Sequence, residues 1–132
     1  MQTRDQKYGA AVFRQIQDRV ESQDKPYKKA YGSMAHKLPL LIRSAGLAQA
    51  LAFVEARGLQ AHKDLLDHLA EVVIDQNTKG PQLAQRSRDT EELSEYMYLT
   101  HEAMAALIWY KRFAQSVLDI DPSEAVAEEV GP

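Results

Sequence analysis

The chain has 132 residues, 45% of them apolar and 27% charged, with a net charge of −3 and no cysteine. That length carries a single hydrophobic core and so a single domain, and the lack of cysteine excludes disulfides, thiolate zinc sites and a cysteine nucleophile. No apolar run approaches the ~20 residues that span a bilayer, and Met1-Gln2-Thr3-Arg4-Asp5 does not open a signal peptide, so a cytoplasmic protein with no membrane partner is expected.

In chain order, the segments between Gly and Pro read with a helical period. Tyr8, Val12, Ile16 and Val20 recur every fourth position, which predicts a helix from Thr3 to Glu21. Asp24-Lys25-Pro26 is a helix start, and a second helix is expected to run to Ser44, kinked or broken at Pro39. Gly46 stops it, because glycine alone enters a positive-φ cap without steric cost. A third helix, Leu47 to Arg57, buries Leu47, Ala50, Leu51 and Val54 and closes at Gly58. A fourth spans Gln60 to Gln76, with Leu65, Leu66, Leu69, Val72 and Val73 on one face.

Asn77-Thr78-Lys79-Gly80-Pro81 is the clearest loop. Two shorter helices follow, Gln82 to Arg88 and Glu91 to Tyr98, the second capped by Thr90. Thr100 is expected to cap a last, central helix reaching Leu118. No strand-like alternation or repeat occurs. The fold class is therefore all-α: a single-domain bundle of five to seven helices over residues 1–120, with an acidic tail over 121–132 that is expected to be disordered.

Catalytic chemistry is hard to find. His62 and His68 stand six apart, on opposite sides of a helix, and read as solvated polar residues rather than metal ligands. The acids Asp64, Asp67 and Glu71, and Glu91, Glu92 and Glu95, have the spacing of solvated helix faces. No phosphate loop, nucleophile elbow or serine with a base partner is present. No cofactor or metal is expected, and the chain reads as a non-enzyme. A carboxylate metalloenzyme is the least favoured alternative.

Charge is distributed unevenly. Residues 1–45 hold nine Lys/Arg against four acids, a net +5, whereas the remainder holds seven against fifteen, a net −8. Binding depends on potential over about one Debye length, ~8–10 Å, so an acidic protein can carry a basic face. From Lys25 to Arg43 every charge is basic: Lys25, Lys28, Lys29, Lys37 and Arg43. Lys25, Lys28 and Lys29 share one helix face, with Tyr27 and Tyr31 interleaved. Lysines that neutralise phosphates, beside aromatics that stack on bases, would suit an RNA strand. The plainer alternative is a solvated amphipathic face with the tyrosines packed half-buried, and for Arg43 a contact with the helix C-terminal dipole.

The run Lys37-Leu-Pro-Leu-Leu-Ile-Arg-Ser-Ala-Gly-Leu-Ala-Gln-Ala-Leu-Ala-Phe53 resembles the signature of the small helical subunit of the type III-B CRISPR effector, the Cmr complex. In the same order come Ala10-Ala11, Leu65-Leu-Asp-His-Leu-Ala70, Tyr98-Leu-Thr-His-Glu-Ala103 and Trp109-Tyr-Lys-Arg-Phe-Ala114, so the resemblance covers about Arg4 to Leu118. Ala45 and Ala48 depart from it, standing where such proteins often have Asn and Gly.

The resemblance implies a non-catalytic subunit that stacks with copies of itself and with other Cmr subunits along the guide RNA and target RNA. It implies RNA contact through Lys25, Lys28, Lys29, Lys37 and Arg43, with Arg4, Lys7 and Arg14 as further candidates. The competing reading is a helical protein–protein adaptor without nucleic-acid binding.

Overall fold

A computed structural model describes residues 1–123; most of the acidic tail lies outside the described residues. They form six α-helices and no strand: α1 (Arg4–Gln15), α2 (Lys25–Ala45), α3 (Leu47–Arg57), α4 (Gln60–Val73), α5 (Gly80–Asp89) and α6 (Leu93–Ser116). The all-α, single-domain expectation holds.

The start of α1 follows from a Thr-x-x-Gln pattern. The Thr3 hydroxyl accepts the Gln6 N–H at 3.1 Å while Gln6 Oε1 accepts the Thr3 N–H at 2.8 Å. The expected helix to Glu21 is not α-helical throughout: a π-turn, Ile16–Val20, continues α1, with Glu21 N–H donating to the Ile16 carbonyl at 2.8 Å. Ile16 and Val20, at its two ends, are both fully buried.

Asp24 caps α2 by accepting the Tyr27 N–H at 2.9 Å. The helix is not broken at Pro39 but runs on to Ala45. An interior proline costs about 3 kcal/mol; here the burial of every residue from Tyr31 through Pro39, including Met34 and Leu38, offsets it. Gly46, at φ 88°, then joins α2 directly to α3, a conformation open to glycine but strained for a side chain.

The short helix ending at Tyr98 and the cap at Thr100 do not exist as separate features, because α6 is one continuous helix. No glycine or proline interrupts residues 93–116, and Leu99, Ala103, Ala106, Leu107 and Tyr110 carry one buried face straight past Thr100. A threonine's preference for a cap is worth less than that continuous burial. Thr90 ends α5 instead, its hydroxyl donating to the Arg86 carbonyl at 2.6 Å.

The hub of the bundle is α4, which packs against α1, α2, α3, α5 and α6. This overturns the solvated reading of its histidines: His62 and His68 are both buried. Beyond α6 the chain reverses through Asp119 (φ 59°) and lays Ile120 on α2. His36 Nε2–H donates to the Ile120 carbonyl at 2.8 Å, and a Cβ on Gly32 would lie 2.8 Å from the Ile120 side chain. Glycine is required at position 32 for that close approach.

Candidate nucleic-acid interface

The cations of the amino-terminal region end in three different settings. Arg4, at the start of α1, is tied inward: its guanidinium pairs with the buried Glu102 carboxylate and lies 5.8 Å over the Tyr8 ring. Glu102 also accepts the Tyr8 hydroxyl at 2.7 Å. Burial, and then that hydrogen bond, hold the phenol well above its ordinary pKa. Arg4 is thus a clamp between α1 and α6.

Lys7 and Arg14 occupy the second setting, a groove of about 730 Å3 between α1 and α4. Two cations that sequence reasoning left out as candidates, Arg19 and Lys79, line the same groove, with Asp18 and Glu71 as its acids. Arg19 pairs with Glu71 at 2.8 Å and Lys79 with the same carboxylate at 3.0 Å. Burial raises the Glu71 pKa, but the hydrogen bonds from Arg19 and Lys79 outweigh it and hold the carboxyl below its ordinary value. Lys7 and Arg14 carry no ion pair among the described residues.

Behind the groove wall lies a buried polar chain. The Tyr110 hydroxyl donates to Gln15 Oε1 at 2.5 Å, and Gln15 Nε2–H donates to the His68 carbonyl at 3.0 Å. Tyr31 is hydrogen-bonded to His68 Nδ1 at 2.8 Å, the hydroxyl donating when the ring carries its proton on Nε2. Burial, followed by the Arg19 charge, lowers the His68 pKa to about 4, so the ring is neutral near pH 7. This chain sets the spacing of α1, α4 and α6.

The third setting is α2. Lys25 and Lys29 project from its first turn, and Lys28 is partly covered, its ammonium 3.4 Å from the Glu21 carbonyl. Arg43 is exposed in the last turn, where a cation meets the C-terminal dipole. Lys37 does not join them: it is only 6% exposed, and its Nζ has no hydrogen-bond partner among the described residues. None of the α2 lysines lines the α1–α4 groove.

The interleaved tyrosines are not free for bases. Tyr31 is fully buried, and Tyr27 stacks on it at 6.2 Å while its hydroxyl donates to Asp64 at 2.5 Å. On α6, by contrast, Leu93, Met97 and Ile108 are 70%, 60% and 51% exposed. At about 100° per residue they fall, with the half-buried Met104, within about 60° of the helix circumference. They form one apolar stripe. No cluster of three or more His, Asp or Glu among the described residues is placed to hold a metal.

With this geometry in view, residues 4–117 match the family described as CRISPR-associated protein (Cas_Cmr5). The chain belongs to the Cmr5 family. It is 40% identical over 119 residues to the CRISPR system Cmr subunit Cmr5 of Thermus thermophilus, covering 90% of this chain and 99% of that one. It also superposes on the crystal structure of a CRISPR-associated Cmr5 family protein from the same organism with a TM-score of 0.80. That match has 40% identity and covers 89% of this chain and 99% of the other.

The family implied by the Lys37–Phe53 signature is thus the family found, over nearly the expected span. In this Cmr5 chain the departures at Ala45 and Ala48 leave the α2–α3 junction satisfied: the Ala48 N–H in the first turn of α3 donates to the Tyr96 hydroxyl of α6 at 3.1 Å. The junction is thus capped from another helix, with no side chain needed at position 45.

Proposed function

We propose that the chain is the small, non-catalytic, cytoplasmic subunit of a type III-B CRISPR effector ribonucleoprotein, stacking with copies of itself and with other Cmr subunits along guide and target RNA. A basic surface built from the amino-terminal helices holds the RNA. The observation that carries this reading is the set of exposed cations Lys7, Arg14, Lys25, Lys29 and Arg43, none of which pairs with an acid among the described residues. In a protein of net charge −3, each group of such unpaired cations raises the potential around it, and positive potential of that kind reads RNA by its backbone. The Cmr5 family match supports the assembly role, and the burial of His36, His62, His68 and Glu102 supports a non-catalytic one.

The test is a fluorescence anisotropy titration of labelled single-stranded RNA and RNA duplex across a salt series, with the free chain and with the chain assembled with its partner subunits. Affinity that falls linearly on a log–log salt plot is expected. Salt-independent or undetectable contact in both forms would sink the RNA role.

The apolar stripe of α6 favours the second reading, a protein–protein adaptor. It also offers a stacking surface under the first, since contiguous exposed apolar area marks partner sites. Met97→Glu is expected to weaken assembly under both readings. Only the adaptor reading predicts a saturable protein partner with no RNA affinity.

A further inference from the structure

We propose that the groove between α1 and α4 is the track for the RNA phosphodiester backbone. This rests on the RNA-holding reading above and assigns it a place. At about 100° per residue, Lys7, Ala11, Arg14 and Asp18 fall in one row of the helix, and Tyr8, Gln15 and Arg19 in the next. Both rows line the groove, so Lys7 and Arg14 stand beside Arg19 along α1 and the π-turn that continues it.

Three features suit the groove to a phosphate backbone. Cations arrive from two directions: Lys7, Arg14 and Arg19 from α1 and its π-turn, and Lys79 from the residue preceding α5. Four cations against Asp18 and Glu71 leave the groove at +2, within walls that focus the field. Arg19 and Lys79 are already held by Glu71, at 2.8 and 3.0 Å, yet a guanidinium has five N–H donors and an ammonium three. Both can bond a phosphate oxygen while keeping the carboxylate, so less side-chain freedom is lost on binding.

Lys7 and Arg14, about 10 Å apart along the helix axis, are unpaired among the described residues and complete the row. The one aromatic ring at the rim, Tyr8, is covered by Arg4 and offers no platform for a base. Binding in the groove is therefore independent of base sequence.

The experiment titrates the full chain, free and assembled with its partner subunits, against fluorescein-labelled single-stranded RNA and RNA duplex at several salt concentrations. It compares Lys7→Ala/Arg14→Ala, Glu71→Gln and Lys25→Ala/Lys28→Ala/Lys29→Ala with the native chain, each checked for an unchanged thermal midpoint. The groove double variant is expected to lose about tenfold in affinity and to flatten the log–log salt slope by about one to two, the signature of lost phosphate contacts. Glu71→Gln keeps an acceptor for Arg19 and Lys79 but removes a negative charge, and is expected to tighten binding about threefold.

The α2 triple variant is expected to change affinity less than the groove double variant. If the α2 variant abolishes binding while the groove variants leave it intact, the groove assignment is wrong and the RNA-holding reading survives. If the native chain shows no salt-dependent RNA binding, free or assembled, both fall together.

Discussion

Along α1 and its π-turn, Lys7, Arg14 and Arg19 face a concave wall shared with α4. On α2, Lys25, Lys28 and Lys29 sit on one helical turn outside that groove, and Lys37 is buried. Both stretches are basic, but only the first gathers its charge against a second helix, where Glu71 fixes two of the cations and low-dielectric walls sharpen the field. Local charge density along a chain therefore does not tell which of its cations face one concave surface.

Acid should break the α1 side most. The His68 pKa is held at about 4, below its ordinary 6.5, so between those values the unfolded chain binds a proton that the folded chain refuses. Stabilisation that is complete above pH 6.5 is lost as pH falls toward 4, by up to about 3 kcal/mol. Urea denaturation at about pH 7 and about pH 4.5 checks this. A native chain and a His68→Gln variant with the same pH dependence would show that His68 is not the group responsible.

Gly32→Leu comes next, at a cost of about 2 kcal/mol, because its side chain would displace Ile120 from α2. An unchanged denaturation midpoint would mean that Ile120 does not clasp that helix. Lys37→Met should be stabilising by about 1 kcal/mol, since it removes a buried ammonium without a hydrogen-bond partner among the described residues and keeps the packed stem. It should leave RNA affinity unchanged, and weaker RNA binding by this variant would put Lys37 back on the surface. The smallest effect belongs to Lys25→Ala/Lys29→Ala, expected within about 0.5 kcal/mol of the native stability by thermal denaturation. A larger loss would reveal a structural role for the first turn of α2.

Much of the fold was legible because its signals are local. α3 runs from Leu47 to Arg57 as its apolar spacing implies, bounded by Gly46 and Gly58, both at positive φ. The family signature was likewise readable in one contiguous run. The π-turn was not, because Ile16, Gln17, Asp18, Arg19 and Val20 also fit an α-helix, with Ile16 and Val20 on one buried face in either case. Nor was the groove: Lys79 lies 65 positions after Arg14 in a loop, and no sequence period connects them.

By itself, then, the sequence determined the all-α class, most helix boundaries and the Cmr5 family, since caps, glycines and hydrophobic period act over a few residues. Tertiary structure alone decided that α6 runs unbroken past Thr100 and α2 past Pro39. It alone also buried His68 and Lys37 and set Arg14, Arg19 and Lys79 along one groove. These outcomes depend on which helices pack together, and neighbours distant in sequence supply the burial and the charge that override local preference.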